Sequence, residues 1–179
     1  MQPVYLVGFM GVGKSTVGKR LASLMDLEFI DLDMMFESRY KLSIQAFFQK
    51  YGEALFRQFE QEILKSTFDL TDVVISTGGG TSCYGSSMDD MCRHGLTVYL
   101  HMPPAALVSR LVSAKRQRPL LEGKTENELS EYVACKLNER LPYYTRAHLQ
   151  VDALSLDVGS LAEKIRGYPD VRKRTNQGE

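Results

Sequence analysis

Gly8-Phe9-Met10-Gly11-Val12-Gly13-Lys14-Ser15-Thr16 sets three glycines, a lysine and two hydroxyl residues in the spacing G-x-x-x-x-G-K-[ST]. Glycine lets a backbone curl until successive N–H groups face one anion, and a helix starting just beyond adds the positive end of its dipole. A lysine there reaches the β- and γ-phosphates of a nucleotide, and the hydroxyl after it is a hard-oxygen ligand for Mg²⁺. The stretch therefore predicts a phosphate cradle of Gly11, Val12, Gly13, Lys14, Ser15 and Thr16, with Lys14 also catalytic and Ser15 on the metal. The alternative is a glycine-rich turn that matches by accident. The flanks argue against it: Val4-Tyr5-Leu6-Val7 is a short strand-type run, and Val17, Leu21, Leu24 and Met25 recur at helical spacing.

Asp31 and Asp33 form a D-x-D at the end of a second strand-type run, Glu28 to Asp31. Carboxylates are both the ligands Mg²⁺ needs and the acceptors a substrate hydroxyl needs. By itself D-x-D is as well a solvated loop or a helix cap. Its position downstream of the cradle, at a strand's carboxyl end, favours chemistry. In an extended stretch the two side chains would point the same way. Arg57, Glu60 and Gln61 share the polar face of a helix over 53–65, whose apolar stripe is Leu55, Phe56, Phe59 and Ile63. Such a face is ordinarily just solvated. Gly78-Gly79-Gly80 follows a third strand, Val73 to Ser76. Three glycines cost more chain entropy than a turn requires, so they suit a backbone that a ligand approaches closely, presenting bare N–H groups; a flexible turn is the alternative. From Ser113 to Lys124 the chain loses periodicity and carries Lys115, Arg116, Arg118 and Lys124. That composition predicts a lid closing over polyphosphate, against a merely solvated loop.

The elements that must hold these groups alternate between strand and helix. Ser43 caps a helix ending near Gly52, and the 53–65 helix follows. A fourth strand covers Thr97 to Leu100, and Pro103-Pro104 opens a helix through Leu107, Arg110 and Leu111. Thr125-x-x-Glu128 and Ser160-x-x-Glu163 both read as capping boxes, with a fifth strand, Leu149 to Asp152, between them. One domain is expected over 1–168, with the lid at about 113–124 and a frayed tail over 169–179.

The 179 residues suit one α/β domain. Lys+Arg and Asp+Glu are both 22, so no net field recruits nucleic acid or a membrane surface. No apolar run has the length of a membrane span, and Met1 leads almost at once into the first strand. A cytoplasmic protein without a signal peptide is expected. Cys83, Cys92 and Cys135 lack C-x-x-C spacing and read as reduced thiols, and the three histidines form no ligand pattern.

The ordered set resembles the shikimate kinase family of small P-loop kinases. The resemblance rests on G-F-M-G-V-G-K-S-T, D-L-D at Asp31 and Asp33, and F-R-x-x-E at Phe56, Arg57 and Glu60. It continues with S-T-G-G-G at Ser76 to Gly80, R-P-L-L at Arg118 to Leu121, and R-x-P-x-Y at Arg140, Pro142 and Tyr144. It implies five parallel strands in the order 2-3-1-4-5 with helices on both faces, a fold shared with nucleoside monophosphate kinases. It also implies transfer of the ATP γ-phosphate to the 3-hydroxyl of shikimate, a step toward chorismate and the aromatic amino acids, by a monomer using Mg²⁺. Carried over residue by residue, Asp31 holds the metal through water and Asp33 takes the substrate hydroxyls. Arg57 and Arg140 clamp the substrate carboxylate beside Gly79 and Gly80. Arg118 is the lid arginine and Arg110 an adenine-side contact. Where the family often has a basic, proline-containing turn beside the adenine, Asp152 to Asp157 here has neither arginine nor proline. Two rivals stand beside this expectation: a similar kinase acting on gluconate or a nucleoside monophosphate, and a nucleotide-binding switch without turnover.

Overall fold

Short strands with apolar residues on both faces need cover on both sides, and this chain supplies it with helices between successive strands. The structure, a computed structural model, describes residues 1–113 and 125–171. In chain order the elements are β1 (Val4–Val7), α1 (Lys14–Met25), β2 (Glu28–Asp31), α2 (Leu32–Tyr40), α3 (Ile44–Lys65), β3 (Val73–Ser76), α4 (Ser87–His94), β4 (Leu96–His101), α5 (Pro104–Ser113), α6 (Glu126–Tyr144), β5 (Leu149–Asp152) and α7 (Val158–Arg166). The strands form one sheet in the order β2-β3-β1-β4-β5, every neighbouring pair parallel, as the resemblance implied.

Side chains of a strand alternate between faces, so β1 feeds two cores. Val4 and Leu6 pack with Val98, Leu100, Leu107, Leu129 and Leu161 on one side. Tyr5 and Val7 pack with Phe36, Phe56, Ile63, Met91 and Tyr144 on the other. Because β1 lies between β3 and β4, the chain leaves it first toward one edge of the sheet and later toward the other. The carboxyl ends of β1, β2 and β3 therefore surround the crevice where such sheets bind ligands. The P-loop follows β1, Asp31 ends β2 and Thr77 to Gly80 follows β3.

Local expectations hold at several joints. Ser43 accepts from the Ala46 N–H, α3 is broken at Gly52 (φ 79°), and Thr125 and Glu128 make the reciprocal capping box. Two expectations are corrected. The box at Ser160 does not form; Asp157 caps α7 by accepting from the Ser160 N–H, so the helix starts a turn earlier. The stretch after Asp31 is not extended either, because α2 begins at Leu32. Neither α2 nor α4 was expected from the sequence.

Of the tail expected to fray, Pro169 and Val171 are tied to Gln2 by two hydrogen bonds, and Val171 is buried. Residues 172–179 lie outside the described residues, as do 114–124, with most of the expected lid and Arg118. The three cysteines are free thiols. Among the described residues no helix is long and apolar enough to cross a membrane.

Candidate active site

The P-loop is built by backbone conformations that side chains rarely adopt. Gly13, at φ 103°, is the residue on which the loop turns into α1, so the first N–H groups of that helix open onto a cavity of about 960 Å³. Gly11, Gly13, Lys14, Ser15, Thr16 and Arg110 line it. Lys14 is 8% exposed and donates from Nζ to the carbonyls of Gly8 (2.7 Å) and Phe9 (3.0 Å), which folds its ammonium back over the loop. Val12 is placed differently: its side chain is core, its N–H bonds to Phe9 O, and its carbonyl accepts from Arg110 Nη1 at 3.1 Å. Arg110, for which the resemblance implied an adenine-side contact, thus braces the loop.

Asp31 and Asp33 do different work because α2 starts between them. Asp31 is the N-cap, accepting from the Asp33 and Met34 N–H groups through Oδ1. Its Oδ2 accepts from the Ser15 hydroxyl at 2.6 Å, and Ser76 Oγ lies 3.3 Å from that hydroxyl. Parallel pairing of β2 with β3 sets Asp31 level with Ser76 and so fixes this cluster. One carboxylate and two hydroxyls are hard oxygens, the donor set Mg²⁺ takes while keeping several waters. The residues present fit that ion.

Asp33 faces the cavity from the first turn of α2. The residue is exposed to solvent, while Gly78 lies against its Oδ1 and the charges of Asp31, Lys14, Glu60 and Glu37 stand near it. Burial first, then the neighbouring charge of Asp31, pushes its pKa up to about 6; Lys14 pulls the other way, and Glu60 and Glu37 add to the rise. A carboxylate poised near neutrality is suited to taking a proton from a hydroxyl.

The three glycines act as a spacer. A Cβ on Gly78 would sit 3.0 Å from Asp33 Oδ1 and 2.8 Å from Glu60 Oε1. A Cβ on Gly80 would sit 2.7 Å from Arg57 Nη2, so only glycine lets that guanidinium lie against the backbone. Between them the Gly79 carbonyl accepts from Arg140 Nη1 (3.1 Å) and from the Tyr144 hydroxyl (2.5 Å). Two residues of chain span at most about 7 Å. The run therefore sets an acid that accepts beside its first glycine, the Arg140 guanidinium at its middle glycine and the Arg57 guanidinium beside its last.

Gly79 lines the large cavity. Gly80, Arg57 and Arg140 line a second one of about 290 Å³, together with Glu53, Cys83, Tyr84, Glu139 and Tyr143. Arg57 Nη1 donates to Glu60 Oε2 at 2.7 Å, and Glu60 Oε1 accepts from Thr81 at 2.6 Å. Burial works against the Arg57 charge, but Glu60 and Glu53 outweigh it and hold its pKa above the ordinary value. Arg140 lies 5.4 Å from the centre of the Phe9 ring. Among the described site residues, the structure thus brings together Lys14, Ser15, Asp31, Asp33, Arg57, Gly79, Gly80, Arg110 and Arg140. The sequence reading gave no role to Tyr144, Glu53 or Ser76. Tyr144 and Ser76 could have been found, since both stand inside the quoted motifs.

Comparison with known proteins follows the same lines. The family profile described as shikimate kinase matches residues 10–166. The shikimate kinase of Parabacteroides distasonis is 44% identical over 153 residues, covering 86% of this chain and 88% of that protein. A crystal structure of shikimate kinase from Bacteroides thetaiotaomicron superposes with a TM-score of 0.86 at 38% identity, covering 92% of this chain and 96% of that one. The Acinetobacter baumannii shikimate kinase, solved in complex with shikimate, superposes with a TM-score of 0.80 at 30% identity over 100% of this chain and 96% of that one.

Proposed function

This chain belongs to the shikimate kinase family, and from that premise we propose how its residues carry out the transfer of the ATP γ-phosphate to the 3-hydroxyl of shikimate. The product is shikimate 3-phosphate, on the route to chorismate and the aromatic amino acids. The observation that carries the assignment of residues is the Gly78–Gly80 run, with Asp33 beside its first glycine, Arg140 on the carbonyl of its second and Arg57 beside its third. Shikimate is a carboxylate bearing three hydroxyls, so it needs fixed cations at one end and an acceptor at the other. Gluconate and nucleotide acceptors leave this arrangement without a common purpose, and so does a switch without turnover.

The phosphates of ATP lie against the N–H groups at the start of α1, with Lys14 supplying positive charge where the γ-phosphate is transferred. Ser15 and, through water, Asp31 would hold Mg²⁺, which would neutralise phosphate charge when bound. Arg110 keeps the loop in shape through Val12 and borders the nucleotide. Arg57 and Arg140 fix the substrate carboxylate beside Gly79 and Gly80, which turns the 3-hydroxyl toward Asp33. Asp33 accepts its hydrogen bond and takes the proton as the oxygen attacks. Arg118 and the lid expected over 113–124, of which 114–124 lie outside the described residues, enter the proposal on the family resemblance alone, with Arg118 as the arginine that would meet the transferred phosphate. A cytoplasmic monomer, one domain over 1–168, with no nucleic-acid or membrane partner, completes the proposal; the balance of 22 basic and 22 acidic residues supports its last part.

Calorimetry tests the substrate end. Arg140→Ala is expected to weaken shikimate binding by about 2–5 kcal/mol while ATP affinity changes much less. Arg57→Lys, which keeps a partner for the buried Glu60 but loses the fork, is expected to act in the same direction. Equal losses for both ligands would move the carboxylate away from this pair.

A further inference from the structure

Arg57 holds two carboxylates of unequal standing. Glu60 is 6% exposed and has both oxygens engaged, one by Arg57 and one by Thr81, so it is a fixed strut. Glu53 is the opposite case. Its side chain is 67% exposed, and one oxygen, Oε1, accepts from both Arg57 Nε (3.2 Å) and Nη2 (3.1 Å). Among the described residues, Arg57 is its sole hydrogen-bonding partner. Nε and Nη2 form one edge of the guanidinium, and such an edge can receive an incoming carboxylate through two parallel N–H···O bonds. Glu53 lies on that edge, in the cavity that Arg57 shares with Arg140.

The chain around Glu53 suits a group that comes and goes. Gly52 breaks the helix immediately before it, at φ 79°, which puts Glu53 in the first turn of the second half of α3. An acid released from Arg57 there still faces water and the positive end of a helix dipole. Exposed pairs four residues apart on a helix are weakly held, whereas the Glu60 contact is buried.

We propose that Glu53 is a resident anion that occupies the Arg57 donor edge in the ligand-free enzyme and is exchanged for the carboxylate of shikimate. It gives the Nε and Nη2 edge of a partly desolvated arginine an acceptor, while Glu60 stays on Nη1. It also sets a threshold for substrates, since a neutral polyol cannot displace it. Glu53 thus tunes affinity and selectivity for the acid, and it takes no part in phosphoryl transfer. The inference rests on Arg57 belonging to the carboxylate clamp.

Glu53→Gln removes the charge and keeps the length. It is expected to lower the Kd and KM for shikimate about two- to fivefold, leaving kcat and the KM for ATP unchanged. Glu53→Ala should move the same way, with melting temperatures confirming that both variants fold. A KM for shikimate that stays level or rises in folded Glu53→Gln overturns the proposal and makes Glu53 a support for Arg57. If Arg140→Ala and Arg57→Lys keep full shikimate affinity, the clamp itself is wrong and the Glu53 exchange falls with it. If those two lose affinity while Glu53→Gln gains none, only the exchange falls.

Discussion

Asp33→Asn is expected to lower kcat by about 10²–10⁴-fold, the usual worth of a positioned general base, while raising or preserving thermal stability. The two halves of that expectation have one cause. Asp33 sits where burial, Asp31, Glu60 and Glu37 all resist its charge, and its pKa stands at about 6 against an ordinary 3.8. A folded-state pKa above the unfolded value means that the folded protein binds the proton more tightly. The stabilisation from that proton is complete below about pH 4 and is lost as pH rises through about 6. At pH 7.5 the ionised Asp33 is therefore a burden on the free fold, one that its exposure to solvent keeps small, and asparagine removes it. In metal-free, ligand-free buffer, Asp33→Asn should melt no lower than wild type at pH 7.5, with any advantage fading toward pH 4. Capping does not complicate the reading, because Asp31 and not Asp33 caps α2. An Asp33→Asn protein with full kcat would remove Asp33 from the chemistry.

Lys14→Met is expected to cut kcat by about 10²–10³-fold, the scale on which losing one preorganised donor to a charged transition state is felt. Methionine keeps most of the length and packing of a residue that is 8% exposed, so the fold should survive better than with alanine. The ammonium bonds to the Gly8 and Phe9 carbonyls, and those contacts have to be weighed against phosphate when ATP binds. Single-turnover rates and melting temperature, measured together, separate lost catalysis from a loosened loop. A folded Lys14→Met enzyme with near-normal single-turnover rates would defeat the assignment of Lys14.

The sheet and the cradle were legible because each rests on a local signal. Strand runs such as Val73 to Ser76 are uniformly apolar or small, and the spacing of Gly8, Gly13 and Lys14 fixes a loop between strand and helix. Strand order was legible only through the family resemblance, since nothing in five short runs states which are neighbours. The helix α2 was missed for a physical reason: of its nine residues only Leu32 and Phe36 are buried, so no apolar stripe announces it. Asp31, which reads equally as strand end, metal ligand and cap, turned out to end β2 and cap α2 while its other oxygen faces Ser15. The Ser160 box failed because Asp157, three residues earlier, offers a better acceptor to the Ser160 N–H. The site's acids and arginines could be named from sequence, but their partners could not. That Tyr144 reaches 65 residues back to the Gly79 carbonyl, or that Glu60 is locked by Thr81, follows from packing alone.

The most direct measurement is ADP release from ATP and Mg²⁺ by the purified chain, coupled to a reporter enzyme, with and without shikimate. ADP is expected to appear at a rate set by shikimate, one ADP for each shikimate 3-phosphate formed, while gluconate or nucleoside monophosphates at the same concentration give little. ADP release that ignores shikimate, or that responds better to another acceptor, would contradict shikimate as the acceptor.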